Sequence, residues 1–290
     1  MRINMHSKFR ILCLGFAVIL ALTGCSTIRK HPDFDKRAAE IHTVSLIAPE
    51  INIQRLVFKG NNEVLFDEGK KASQQVLEVV STEFTKLGYD VKPLALSEET
   101  LKQNPDLETA LSKLQVKYDS LVQDVEKQYV KKNRWKDFRI SLGSDVNQFA
   151  DLAAADAFVF VTGTGFVKSG GEIAKDVAKT TLIAAASLGS VIYITPSYGG
   201  VVYVSIVDAN TGDILWHNFN RPNRAYNFTK PGDLKSMVKG VIRGYPKHKG
   251  KAQAKKETVD GKQVIQDIIT VEEQGAGGVL SKMTASTVRP

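Results

Sequence analysis

Cysteine is almost absent from this chain. There are two, and Cys13 sits inside an apolar N-terminal run. Once that run is removed, only Cys25 remains, so no disulfide framework is available. Histidine is scarce as well. His31, His42, His217 and His248 are scattered, with no His-x-x-x-His and no Cys/His ligand spacing, which removes the common zinc arrangements. No Gly-x-Ser-x-Gly elbow is present. Gly163-Thr164-Gly165 lacks the third glycine of a dinucleotide fingerprint, and Gly170 is followed by Gly171 where a Walker loop needs lysine. Asp208-x-Asn210-x-Gly212-Asp213 brings its glycine one place early for a calcium loop, with Phe219 where the bidentate glutamate belongs. Asp145, Asp151 and Asp156 are of the kind that helix caps and solvated faces account for. The expectation is a protein without catalytic residues, metal or cofactor.

Concentrated charge is missing too. The formal net charge is +8, and removing Arg2, Lys8 and Arg10 with the leader leaves 36 basic against 31 acidic residues. That mild excess suits weak attraction to anionic lipid or an acidic partner. No basic stripe with interleaved aromatics is seen, so nucleic acid is not an expected partner.

What is present begins with an address. Met1–Arg10 is short and basic. Ile11–Leu22 is apolar, of signal-peptide length and too short to span a membrane comfortably. Leu22-Thr23-Gly24-Cys25 follows and resembles the lipobox of bacterial lipoproteins. Small Thr23 and Gly24 fit a peptidase pocket, and the Cys25 thiol accepts a diacylglyceryl group. The competing reading is an ordinary secretory signal with a chance cysteine. The resemblance implies cleavage before Cys25 and three acyl chains there, where two already anchor stably. Ser26 is not the aspartate associated with inner-membrane retention, so the implied location is the outer membrane, on its periplasmic face. The implied organisation is a signal peptide over 1–24, a lipidated tether over 25–40, a periplasmic α/β domain over 41–246, and a polar tail over 247–290 whose composition is that of a disordered segment.

Within the domain, His42–Ala48 alternates as a strand, and Ile51–Phe58 with Glu63–Phe66 flanks the turn Gly60-Asn61-Asn62. Lys70–Leu87 has helical periodicity, with Gly88 as its C-cap, and Tyr89–Leu94 reads as another strand. Ser97 opens a helical stretch that Pro105 breaks. From Asp106 to about Lys131, Leu107, Leu111, Leu114, Tyr118, Leu121 and Val125 form a short heptad seam. Two readings are open for it: packing on the domain's own sheet, or an interaction surface for a partner or a second copy. The basic run Lys131–Lys136 ends that helix. Ser144 is placed to cap a helix over Asp145–Ala155, and Ala157–Val161 is an unbroken apolar run suited to a central strand. Val201–Val207 and Asp213–Phe219 flank a turn over Asp208–Gly212. Pro231–Tyr245 holds a last amphipathic helix. A mixed β-sheet packed by amphipathic helices, an α/β sandwich, is therefore the expected fold.

Gly170–Gly200 stands apart. Helical spacing at Ile173, Ala174, Val177, Ala178, Thr181 and Leu182 passes into a run, Thr180–Ile194, that is apolar nearly all round. It is compatible with a buried crossover helix, with a small-residue surface for another protomer, or with shallow insertion into a bilayer beside the anchor.

The lipobox, the helix end Leu87-Gly88-Tyr89-Asp90-Val91, the strand entry Ala154-Ala155-Asp156-Ala157-Phe158-Val159-Phe160 and the hairpin Val204–Trp216 together resemble a group of poorly characterised Gram-negative lipoproteins. Their periplasmic domain is similar in plan to those of the curli secretion channel family and to the N-terminal domain of the Tol-system translocation protein. The resemblance implies a role in envelope assembly, secretion or scaffolding through protein–protein contacts, self-association included, and brings no catalytic residues. An export-channel subunit is the alternative, and an envelope hydrolase a third and weaker one. This chain departs from the channel family where that family has membrane-spanning β-hairpins, because Gly170–Gly200 reads as helical here. A hairpin of the type Asp-x-x-Thr-Gly-x-x-x-Trp also occurs in propeller blades, but the chain holds one copy, so Trp216 is expected in a core or at a sheet edge.

Overall fold

The computed structural model describes residues 28–94, 104–129, 138–186, 196–220 and 225–248. In chain order the elements are β1 (Arg29–Lys30), α1 (Phe34–Ala38), β2 (Thr43–Leu46), β3 (Glu50–Leu56), β4 (Glu63–Val64), α2 (Phe66–Lys86), β5 (Asp90–Pro93), α3 (Pro105–Tyr129), a single 3-10 turn (Ser144–Val146), α4 (Asn147–Ala153), β6 (Ala157–Lys168), α5 (Gly170–Ala186), β7 (Tyr198–Asp208), β8 (Ile214–Phe219) and α6 (Pro231–Ile242).

β6 is the spine of one open, mixed sheet. Its order is β1-β8-β7-β6-β2-β5, with β3 taking over from β2 along the second half of β6 and β4 paired outside β3. β2 and β3 both run parallel to β6, covering Ala157–Val159 and Thr162–Lys168 in turn. The interruption between them holds Pro49, whose missing N–H cannot serve a ladder. β7 is antiparallel to β6 over eleven consecutive pairs. β8 is antiparallel to β7, and β1 antiparallel to β8. Hence β6, β3 and β8 run the same way and β1 against them, with Arg29 and Lys30 level with Phe160 and Val159 near the start of β6.

Alternation along β6 separates two cores. Ala157, Val159 and Val161 face one way, joined by Val202, Val204, Ile206, Trp216 and the apolar sides of α1, α2 and α6. Phe158 and Phe160 face the other way, toward α3 and α4. The sheet is thus covered on both faces. The helix over Pro231–Tyr245 keeps its expected face, with Leu234, Met237, Val238, Val241 and Ile242 all buried.

Several expectations need correction. Gly163-Thr164-Gly165 lies inside β6 and pairs on both sides. The Gly165–Gly200 cross-strand pair seats the Phe228 ring, and a Cβ added at either position would come within 2.4 Å or 2.0 Å of that ring. The 25–40 tether is not loose over its described part: β1 pairs with β8, and Phe34 and Ala38 of α1 are buried. Ser144 makes no capping bond, because a 3-10 turn behind Gly143 starts that helix. Over its described part, the Gly170–Gly200 segment is not a buried crossover, since positions 173–175 and 177–179 are exposed. α5 connects antiparallel neighbours β6 and β7, where no crossover is needed, and Gly199 and Gly200 belong to β7.

Candidate functional site

Four polar or exposed arrangements could carry chemistry or binding. The first lies under α3. Tyr118 Oη donates to Ser205 Oγ at 3.0 Å, and Ser205 Oγ lies 2.7 Å from His217 Nδ1. A serine touching a histidine is the geometry of a nucleophile and its base. Here both residues are 0% exposed, and His217 is walled in by the rings of Phe138, Tyr203 and Phe219. Burial, aided by the charge of Arg29, pushes the His217 pKa down to about 3. The imidazole is therefore neutral and a poor proton acceptor at pH 7, and no substrate atom reaches it. This chain of hydrogen bonds satisfies Tyr118 Oη, Ser205 Oγ and His217 Nδ1, while His217 Nε2 is buried without a partner.

One residue along, Asp119 sits half-buried beside Glu50. Burial, then the charge and hydrogen bond of Glu50, push the Asp119 pKa up to about 7. Gln115 Nε2 donates to Asp119 Oδ1 at 3.3 Å, and Asn52 Nδ2 donates to Glu50 Oε1 at 3.0 Å. Two carboxyls sharing one site cannot both ionise freely.

The heptad seam resolves toward the domain's own sheet. Leu107, Leu114, Tyr118 and Val125 are buried, and Leu111 and Leu121 pack against the same core. Most of the apolar seam packs on the sheet, while Leu121 and Val125 also line the open side of α3. What α3 does present is a shallow groove of about 630 Å³ bordered by Lys113, Val116, Lys117, Ser120, Asp124 and Ile140.

At the β7–β8 turn, Asp208 Oδ1 accepts from the N–H groups of Asn210 and Thr211 at 2.9 and 3.0 Å, and Gly212 supplies the positive φ of 72°. Arg37 of α1 bridges both carboxylates of this turn, at 2.7 Å to Asp208 Oδ2 and 2.7 Å to Asp213 Oδ2. Burial opposes the guanidinium charge, but the bonds to Asp213 and Asp208 outweigh it and raise the Arg37 pKa. Asp156 receives the N–H groups of His42 and Thr43, both at 2.9 Å. His42 and His248, far apart in sequence, meet here with Nδ1 and Nε2 3.1 Å apart. Among the described residues no group of three metal-ligating side chains forms. This end is fastened by the clamp.

The opposite end is open. α5 leaves β6 there with its amphipathicity inverted. Glu172, Asp176 and Thr180, spaced four apart, are its partly covered positions, and Lys168 holds Asp176 in an ion pair. Ile173, Ala174, Val177, Ala178 and Thr181 face solvent, with Val177 60% and Ile173 37% exposed. Phe58, just past the end of β3, is 51% exposed, and a Cβ on Gly171 would touch it at 3.5 Å. Lys175 Nζ stands 5.4 Å from the centre of its ring. The helical spacing of this segment is legible in the sequence, but which side faces the protein is not.

Leu22, Thr23, Gly24 and Cys25 lie outside the described residues, as do the helical stretch from Ser97, the basic run Lys131–Lys136 and the tail after His248. Among the described residues no helix is long and apolar enough to cross a membrane. Comparison with family models, with characterised proteins and with solved structures finds no match for this chain.

Proposed function

We propose that this chain is a lipid-anchored protein of the bacterial outer membrane whose periplasmic domain works by binding other envelope proteins and not by catalysis. One observation carries the reading: Leu22-Thr23-Gly24-Cys25 closes a leader that is basic and then apolar, the order that lipoprotein maturation requires. The kinship with envelope lipoproteins similar in plan to the curli secretion channel family belongs to the same proposal, with the mixed α/β fold in keeping with it. The sealed Ser205–His217 pair supports the non-catalytic part, because the one serine–histidine contact described is closed to substrate.

The test is Cys25→Ala in the full chain. The variant is expected to incorporate no labelled palmitate and to keep its leader, while the wild type stays with outer membranes and incorporates the label. Palmitate labelling that survives the substitution would remove the lipobox reading. Native mass of the wild type in mild detergent then separates a tethered adaptor, seen as a monomer, from a ring or channel subunit, seen as a discrete high-order oligomer.

A further inference from the structure

His42 and His248 are 206 positions apart in the chain and meet edge to face, with ring centres 4.7 Å apart and planes at 82°. His42 Nδ1 and His248 Nε2 stand 3.1 Å from each other. One proton can sit between two imidazoles at that distance, with one nitrogen as donor and the other as acceptor. A single metal ion instead uses both lone pairs at once. Nitrogens bound at about 2.0–2.1 Å to one ion lie about 2.9 Å apart at a square corner and about 3.3 Å apart at a tetrahedral one. The observed separation falls between those two values.

Both rings are set in place by contacts of their own. His42 immediately precedes β2. Its N–H donates to Asp156 Oδ2 at 2.9 Å, and its carbonyl accepts from the Asp90 N–H at 2.9 Å. His248 lies beyond α6. Its N–H donates to the Leu87 carbonyl at 2.8 Å, and a Cβ added at Gly88 would meet the His248 Cβ at 3.5 Å. The Tyr89 ring backs the His248 ring at 5.5 Å, and Tyr89 Oη donates to the Pro246 carbonyl at 3.3 Å. Ligands fixed before binding lose little freedom when an ion arrives. His42 is exposed and His248 half-buried, so the pair is open to solvent. The Asp156 carboxylate, which holds the amides of His42 and Thr43, adds negative charge on this side. Among the described residues no third histidine, cysteine or carboxylate joins the two.

We propose that His42 Nδ1 and His248 Nε2 together ligate one divalent transition-metal ion, Cu2+ most tightly and Zn2+ less so, with water in the remaining positions. Imidazole nitrogen suits both ions, and affinity of a nitrogen site for divalent first-row metals peaks at copper. The ion fastens the segment beyond α6 to the start of β2, next to the bond between His248 and Leu87. Because it binds only the folded pairing, it stabilises the domain in proportion to the logarithm of its concentration. The site does not depend on the lipid anchor.

The experiment uses the full-length protein in mild detergent, purified without a polyhistidine tag and stripped with chelator. Cu2+ and, separately, Zn2+ are titrated calorimetrically into wild type, His42→Gln and His248→Gln, and the Cu2+ form is read by electron spin-echo modulation. One ion per chain and two imidazoles in the Cu2+ spectrum are expected, with affinity lower by about tenfold or more in each variant. The thermal midpoint of wild type should rise with Cu2+ and that of the variants should not. Equal affinity in wild type and either variant would put the metal elsewhere and overturn the proposal, as would a spectrum of a single imidazole. One ion per two chains with a doubled native mass would also overturn it, because a second copy would then complete the shell in place of water. Urea midpoints of the metal-free variants check that they fold; if one does not, the imidazole count in wild type decides alone.

Discussion

The two faces of the sheet are built on different principles. On the face covered by α2 and α6 the interior is apolar and aromatic: Tyr245 meets Phe84, Tyr89 and Trp216 at ring distances of 5.4, 5.5 and 5.3 Å. On the face covered by α3 and α4, aromatic rings surround a polar chain, Tyr118–Ser205–His217, with the Asp119–Glu50 pair at its margin. The first face depends on volume and area, which do not titrate. The second depends on protonation states that folding forces away from their ordinary values. The difference teaches that the buried histidine and the raised carboxyl, which titrate between about pH 3 and 7, lie on one side of the sheet.

The largest test of that contrast is volume. Trp216→Ala empties the apolar face of a fully buried indole and should cost about 3–5 kcal/mol, equally at pH 5 and pH 8, as read from urea midpoints. A strong pH dependence of that loss would break the comparison.

Next comes His217. Its folded pKa lies below its unfolded one, so between about pH 6.5 and 3 the unfolded chain binds a proton that the folded chain refuses. Stability from this group is present above pH 6.5 and is lost on acidification, by up to about 1.4 kcal/mol per pH unit. His217→Gln keeps a hydrogen-bonding partner for Ser205 and removes the titration. Its unfolding free energy should fall less steeply than wild type between pH 6 and pH 4 (urea titration at each pH); parallel curves would show that the imidazole is not held neutral.

Asp119 acts in the opposite sense and more weakly. Its folded pKa, near 7, lies above the unfolded value, so its protonated form is favoured by folding. That contribution is complete below about pH 4 and is lost as pH rises through 7. Being half-buried, the carboxyl is partly screened, and its slope is smaller than that of His217. In wild type the two slopes offset each other between about pH 4 and 6.5. Asp119→Asn removes one of them, so acid sensitivity should steepen in that window, the reverse of His217→Gln; the same urea series checks it, and a flatter acid limb would refute the assignment.

Much of the architecture could be read in the chain. The alternation at Thr43–Leu46, the turn glycine at 212, the C-cap at Gly88 with φ of 93° and the buried side of α6 are local signals, set by a few neighbouring residues. The short run Ala157–Val161 announced a strand but not its length. β6 continues to Lys168 through two glycines, because a ring from a distant segment, Phe228, lies over one of them. The candidate sites were harder. His42 and His248, and Arg37 with Asp208 and Asp213, come together only through the order of strands. The reactive-looking pair Ser205–His217 spans two strands of a hairpin that the sequence did show, yet its closure depends on Phe138 and Tyr118 arriving from elsewhere.

By itself the sequence determined periodicity and its punctuation: which segments alternate, which turn, and which follow helical spacing. Those follow from side-chain chemistry over a few residues. Only the tertiary structure decided direction. It turned the seam of α3 inward and the stripe of α5 outward, though both have the same helical spacing, because which side of a helix is buried depends on the sheet it meets. It also brought Arg37 to Asp208 and Asp213 and His42 to His248, because strand order and polarity come from pairings between segments far apart in the chain, which no local pattern encodes.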